Sequence, residues 1–309
     1  MTTHLYTHNV FAEHDTPAGH PERPDRIRAV HEALADGRFD RLVRFETEAA
    51  DPDVFGHVHP PAFLARLKSS RPDDGERVQF DPDTHMSART WECLLHASGG
   101  LLAAVDAVVN EKAHNAFVAA RPPGHHAERD TAMGFCFVNH VAVAARHAQR
   151  AHGLERVAIV DFDVHHGNGT QDIFERDASV FYASTHQMPL FPGTGARHET
   201  GVGNICNAPL SAGTGSDTFR EAFRERVLAE LDAFRPDIVL VSAGFDAHAL
   251  DPLAGLNLHE DDFDWATGKL MDAAERHCGA RLVSVLEGGY SLEGLGRSCA
   301  THVSRLMHG

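Results

Sequence analysis

Short apolar runs alternate with longer amphipathic stretches along most of this chain. Val157-Ala158-Ile159-Val160 and Ile238-Val239-Leu240-Val241 are uninterrupted, which is the pattern of strands buried on both faces of a parallel sheet. Similar runs predict strands at 4–8, 41–46, 115–119, 156–161, 179–184, 204–207, 237–242 and 281–286. Helical spacing predicts helices at 25–36, 60–69, 87–109, 139–152, 169–175, 216–234, 260–277 and 291–306, the second begun by Pro60-Pro61. Gly99-Gly100 in the third helix permits close packing, and residues 80–87 read as a loop. From residue 114 the rhythm is strand, loop, helix, repeated. That rhythm implies an α/β fold in which a mainly parallel sheet lies between helical layers, with right-handed crossovers. No internal repeat or long linker interrupts it, so a single domain over 1–309 is expected. Polar, glycine-rich segments follow one strand after another and should therefore share one edge of the sheet.

Composition narrows function more than fold. With 42% hydrophobic and 23% charged residues, 309 residues suit one large enzyme-like domain. The formal charge is −16 with histidine neutral, yet the pI is about 5.8. The 24 histidines close that gap, because they gain charge just below neutrality. So acidic a surface argues against nucleic acid and against an anionic membrane as partners, and it suits cationic substrates. Cys93, Cys136, Cys206, Cys278 and Cys299 are scattered and form no Cys-x-x-Cys pair. Reduced thiols and a cytoplasmic location are expected. Met1-Thr2-Thr3-His4 opens no leader pattern, and no uninterrupted apolar run approaches the ~18 residues of a membrane span. Composition leaves homo-oligomerisation open.

Four of the segments after strands carry unusual chemistry. In Asp161-Phe162-Asp163-Val164-His165, alternate side chains along an extended backbone fall on one face, where two carboxylates and an imidazole can hold a divalent metal. Asp246 ends its own strand in the same way. Asp163, His165 and Asp246 would make a three-ligand site with a position left for water, the mark of catalytic rather than structural zinc. Two carboxylates nearly neutralise such an ion, so additional polarisation of a substrate carbonyl is needed, and the phenol of Tyr290 after Gly288-Gly289 can supply it. His125-His126, held between prolines and glycine, read as a proton-transfer pair. Asp161 suits one imidazole as a partner and Asn168 the other. Phe135 and Phe191 could line a narrow slot for an alkyl chain.

Together these motifs resemble the zinc-dependent histone deacetylase superfamily. The resemblance rests on Arg121-Pro-Pro-Gly-His-His, Met133-Gly-Phe-Cys-Phe, Asp161-Phe-Asp-Val-His-His-Gly-Asn-Gly-Thr, Phe191-Pro-Gly-Thr-Gly, Ala243-Gly-Phe-Asp-Ala and Glu287-Gly-Gly-Tyr. It starts at His20-Pro-Glu-Arg-Pro and is strongest toward the class II-like branch of bacterial deacetylase-like amidohydrolases, which shades into acetylpolyamine amidohydrolases. It implies an arginase/deacetylase fold with a sheet of about eight strands. It also implies Zn²⁺, or Fe²⁺ in the cell, on Asp163, His165 and Asp246. Under it His126 is the general base and acid, paired with Asn168, and His125 is its electrostatic neighbour, oriented by Asp161. Tyr290 becomes the donor to the carbonyl. Phe135 and Phe191 become tunnel walls over a floor at Gly134, and Arg26 matches the arginine of a product channel. A structural K⁺ is implied at Asp161, Asp163, His165, Ser184 and backbone carbonyls. A rim aspartate, Asp81 or Asp83, is implied to grip substrate.

Two positions divide the superfamily. Asn168 stands where class I members carry aspartate. Leu253 stands where polyamine-selective members place an acidic gatekeeper, and a leucine cannot attract a second ammonium group. The expected activity is therefore removal of an acetyl or other acyl group from an N-acylated amine, foremost an acyl-lysine side chain. Acetylpolyamine hydrolysis is the first rival. A dimanganese ureohydrolase would need a carboxylate where His248 stands, and a non-catalytic acyl-lysine scaffold would be expected to lack Tyr290 or a metal ligand.

Overall fold

The uninterrupted apolar runs become the middle of one sheet. In the computed structural model, which describes residues 1–309, β6 (Val157–Asp161), β9 (Ile238–Ala243) and β10 (Leu282–Leu286) are buried along their whole length. They are flanked by β1 (Thr3–Thr7), β2 (Val43–Glu46), β5 (Asn115–Val118), β7 (Val180–Gln187) and β8 (Ile205–Leu210). The eight strands run in the order β2-β1-β5-β10-β9-β6-β7-β8, and every neighbouring pair is parallel. Parallel neighbours require crossovers, and helices supply them. The principal ones are α1 (Asp25–Ala33), α2 (Pro61–Ser69), α3 (Thr90–Val109), α4 (His140–His152), α5 (Asn168–Phe174), α8 (Glu260–Cys278) and α9 (Leu292–His308). α3 packs on α4, while α1 and α8 pack on α9, and one continuous apolar core joins strands and helices.

Several element limits differ from expectation for local reasons. The first helix stops at Ala33 because Asp36 turns back to accept a hydrogen bond from the Arg38 amide, nucleating a separate short turn at Gly37–Phe39. Residues 80–87 are not all loop. β4 (His85–Ser87) pairs antiparallel with β3 (Arg77–Gln79), a two-stranded ribbon outside the main sheet. α3 consequently begins at Thr90, whose hydroxyl accepts from the Ser87 amide at 2.8 Å. The stretch expected as one helix at 216–234 contains α6 (Ser216–Ala222), a π-helical segment at Phe223–Leu228 and α7 (Ala229–Phe234).

Helix α3 is long and apolar enough to cross a membrane, but most of it is buried in the protein. Its apolar side lies on α4, β1, β5 and β10. Gly99 is required there, since a Cβ would lie 2.0 Å from the Glu48 carbonyl oxygen.

Candidate functional site

Four adjacent strands in the middle of the sheet, β5, β10, β9 and β6, deliver the chemistry at their carboxyl ends. β6 leads into Asp161, Asp163 and His165, and β9 into Asp246. β10 leads into Glu287 and Tyr290, and β5 into His125 and His126. Residues far apart in sequence therefore meet at one edge.

Asp163, His165 and Asp246 converge, and all three are buried. His165 Nδ1 lies 3.2 Å from Asp163 Oδ1 and 3.1 Å from Asp246 Oδ2. Around the carboxylates the backbone is drawn in as a cradle. Gly288 N donates to Asp163 Oδ2 at 2.8 Å, and Val164 N donates to Asp246 Oδ1 at 2.8 Å. A Cβ on Gly288 would lie 2.1 Å from Asp246 Oδ2, and one on Gly244 would lie 2.0 Å from Asp163 Oδ2. Two buried carboxylates beside one imidazole need a positive charge. Burial and then the neighbouring Asp163 push the Asp246 carboxyl up to about 7. Burial would lower His165, but its hydrogen bonds to Asp163 and Asp246 outweigh it and push the imidazole up to about 10. A divalent ion would satisfy the same need in place of those protons, so this oxygen- and nitrogen-donor set fits a catalytic metal.

The two histidines of the pair are placed differently. His125 Nδ1 donates to Asp161 Oδ2 at 2.9 Å, and its Nε2 lies 3.8 Å from Asp163 Oδ1. Burial opposes its charge, but Asp163 and Asp161 prevail and hold this imidazole well above its ordinary value. His126 Nδ1 lies 2.8 Å from Asn168 Oδ1. The Asn168 amide nitrogen is engaged by Glu128 Oε1 at 2.7 Å, which directs the amide oxygen at His126. The proton of neutral His126 therefore sits on Nδ1, and Nε2 keeps its lone pair. Burial, then His125 and His165, hold His126 well below its ordinary value, so it is a free base at neutral pH.

A cavity of about 320 Å³ leads to this edge, lined among others by Phe135, Phe191, Leu253, Asp83 and Tyr290. Gly134 and His126 also face it, and the Phe191 ring stands edge-on to His126 at 5.1 Å. Both Gly134 and Phe135 have positive φ, at 56° and 69°. The second is unusual for a side-chain-bearing residue and is held by Phe135 N donating to Thr84 Oγ1 at 2.9 Å. Of the two rim aspartates, Asp83 lines the cavity. Asp81 is used structurally, accepting from the amides of Asp83 at 2.8 Å and Gly134 at 3.1 Å.

Arg26 is wholly buried. It donates to the carbonyls of Gly289 at 2.6 Å and Glu287 at 2.5 Å, and its guanidinium lies 4.8 Å from the centre of the Tyr290 ring. It braces the turn that carries Tyr290. Burial holds the Tyr290 phenol well above its ordinary value, so it remains a donor. Ser184 faces Asp161 across β6 and β7, both buried. The Ser184 hydroxyl contacts His186 Nδ1 at 2.9 Å, and Asp161 also accepts from the Tyr182 hydroxyl at 3.1 Å.

Three supporting carboxylates escaped the sequence reading. Glu287 Oε2 accepts from the amides of Gly124 at 2.7 Å and His125 at 3.2 Å, fixing the loop of the histidine pair. Glu22 bridges Arg26 at 3.0 Å and Arg121 at 2.5 Å in the core. Asp251 accepts from Tyr290 N at 2.7 Å and Ser291 N at 3.1 Å through one oxygen, and from Leu253 N at 3.1 Å through the other. Each has at least one partner brought back from a distant part of the chain, Gly124 for Glu287, Arg121 for Glu22 and Tyr290 for Asp251, so only its place within a motif could have signalled it. His20 and Pro21, from the proline-punctuated loop, line the cavity mouth as well.

Known proteins resemble this one over nearly the whole chain. The histone deacetylase domain family matches residues 20–306. The histone deacetylase-like amidohydrolase of Pseudomonas aeruginosa is 43% identical over 281 residues, covering 89% of this chain and 73% of the relative. The polyamine deacetylase HDAC10 of Mus musculus is 36% identical over 314 residues, covering 95% of this chain and 46% of the relative. The crystal structure of the HDA15 HD domain superposes with a TM-score of 0.93 at 34% identity, covering 99% of this chain and 89% of that one.

Proposed function

Since this chain belongs to the histone deacetylase family and is an amidohydrolase of the deacetylase type, we propose that it cleaves the acetyl amide of an acylated lysine side chain. The observation that carries the reading is the meeting of Asp163, His165 and Asp246 with the His126 base and the Tyr290 donor at the end of one narrow cavity. Asp163, His165 and Asp246 would hold Zn²⁺, which supplies Lewis acidity toward the acyl carbonyl and acidifies water. Everything else is supplied by the chain. Phe135, Phe191 and Gly134 confine an extended alkyl chain and exclude bulk water. His126 Nε2, deprotonated at neutral pH, removes a proton from the attacking water and returns it to the departing amine. His125 stays charged against Asp161 and so keeps His126 neutral between turnovers. The Tyr290 hydroxyl donates to the carbonyl oxygen as negative charge develops on it. Asp83 at the mouth accepts hydrogen bonds from a substrate backbone. Asp161 and Ser184, with nearby backbone carbonyls, would hold K⁺ beneath the site.

The polyamine reading has a relative on its side, the mouse polyamine deacetylase. Against it, the cavity wall at Leu253 is apolar, and Asp83 is the only carboxylate among the lining residues. A side-by-side assay of zinc-loaded protein on acetyl-lysine peptides, longer acyl-lysines, acetylpolyamines and small amides separates these readings. Acetyl-lysine peptides should show the highest kcat/KM. A clear preference for acetylpolyamines would overturn the lysine assignment, and failure on every N-acyl amine would overturn the mechanism.

A further inference from the structure

A second group of metal-type donors sits where the end of α3 meets the end of α4, apart from the catalytic edge. Asp106 belongs to the last turn of α3, and His147 and His152 to the second half of α4. One carboxylate oxygen, Asp106 Oδ1, lies 2.6 Å from His147 Nε2 and 2.6 Å from His152 Nε2. All three donor atoms fall within 4.8 Å of one another. The two rings stand at 86° to each other with centroids 5.5 Å apart, so they approach the oxygen from different directions rather than stacking. The catalytic trio shows the same signature, an imidazole nitrogen within 3.1 and 3.2 Å of its two carboxylates.

The orientation of the two rings suits an ion. Nε2 of each ring faces the common oxygen, and each Nδ1 is left free to carry the proton when Nε2 becomes a ligand. A third His- and acid-containing cluster, His248, His259 and Glu260, fails that test. There the Leu250 amide donates to His248 Nδ1 at 3.1 Å, so the proton lies on Nε2, the atom that faces Glu260. That nitrogen carries the ring proton and has no lone pair to offer a metal. The surface trio also needs little movement. Donors bound tetrahedrally to zinc at about 2.0–2.1 Å lie roughly 3.3 Å apart, so each imidazole nitrogen would move away from Asp106 Oδ1 by less than about 1 Å. The side chains are 22%, 15% and 48% exposed for His147, His152 and Asp106, leaving a path for the ion and room for water ligands.

We propose that Asp106, His147 and His152 form a second site for a late first-row divalent cation, with zinc its natural occupant. The bound ion clamps α3 to α4. Residues 106 and 147 are 41 apart in sequence, and the segment between them carries His125 and His126. The clamp thus closes the covalent frame around the proton-transfer pair while touching no reacting atom.

Zinc content after stripping, reloading with Zn²⁺ and desalting tests the site. The wild type should retain two equivalents, Asp246→Asn one, His147→Gln/His152→Gln one, and the triple variant none. In the Asp246→Asn background, Zn²⁺ at about 100-fold over its dissociation constant should raise Tm by about 4 °C, and the triple variant should lose that rise. A second equivalent that persists in His147→Gln/His152→Gln would overturn the proposal. So would binding in the Asp246→Asn background weaker than about 100 µM, which would mean adventitious surface binding only. Because the Asp246→Asn arm reads the surface site alone, its failure is distinct from a failure of the catalytic assignment.

Discussion

Lowering the pH should destabilise this protein through its buried neutral histidines, and His302 is the sharpest case. Its ring is enclosed in the core, with Nδ1 2.7 Å from the Thr267 hydroxyl and Nε2 2.8 Å from the Ser284 hydroxyl. Both partners are neutral. Burial therefore pushes its pKa down to about 3, from 6.5 in an exposed chain. A histidine depressed on folding leaves stability intact above its unfolded value. As the pH falls below 6.5 the unfolded chain takes up a proton that the folded one refuses, and stability is lost until the folded pKa is reached. At pH 5 the loss is about 2 kcal/mol for this one residue. His140, pushed down by burial to about 3, and His59, to about 4, act with the same sign. The three together approach about 6 kcal/mol, a large part of the 5–15 kcal/mol typical of folded proteins. Urea unfolding of wild type and His302→Gln at pH 7, 6 and 5 isolates the contribution, because the other groups cancel in the difference. The variant is less stable at pH 7, but its profile should be flatter, by up to about 1.4 kcal/mol per pH unit near pH 5. Parallel profiles would refute the reasoning, since they would mean that His302 titrates alike in both states.

Tyr290→Phe removes a donor that acts only as the carbonyl becomes anionic, so kcat should fall about 10²–10³-fold with zinc content unchanged by elemental analysis. Asp246→Ala leaves Asp163 and His165 without their third partner, and both catalytic-site zinc and activity should disappear in the same dialysis and assay. Asp251→Asn should lower kcat about tenfold or more on a small acetylated amide, while inhibitors that reach only the metal keep their affinity. The changed amide would weaken the hold on Tyr290 N and Ser291 N without touching the ligands.

The sheet was legible because its central strands are buried on both faces and cannot tolerate polar interruption. Val157–Val160 and Ile238–Val241 announce themselves by composition alone. The metal-type trio and the histidine pair were legible for a related reason, since charged residues at the ends of apolar runs have few structural uses. What stayed hidden was decided by distant partners. Arg77–Gln79 and His85–Ser87 are three residues each with a single apolar one apiece, too short to show a period, and they pair only with each other, so nothing local marks them as strands. The choice between Asp81 and Asp83 depended on Asp81 turning inward to the Gly134 amide, a contact across 53 positions. Glu287 and Glu22 are buried carboxylates, and the Gly124 amide on the first and the Arg121 guanidinium on the second are brought back from more than 90 residues away. The π-helical segment at Phe223–Leu228 has no helix breaker to betray it.

The brace from Arg26 to the turn before Tyr290 has a kinetic consequence. The guanidinium reaches from residue 26 to residue 289, and the metal-type trio closes only when β6 and β9 have paired. No early fragment of the chain can hold a partly competent centre, because its two halves meet only through long loops closed late in folding. Capture of zinc at Asp163, His165 and Asp246, followed in a refolding experiment, should therefore lag the recovery of helical signal. Recovery of turnover should wait for the N-terminal segment that carries Arg26 to dock. In a nascent chain leaving the ribosome, hydrolysis would switch on only after β10 and the turn carrying Tyr290 had been added.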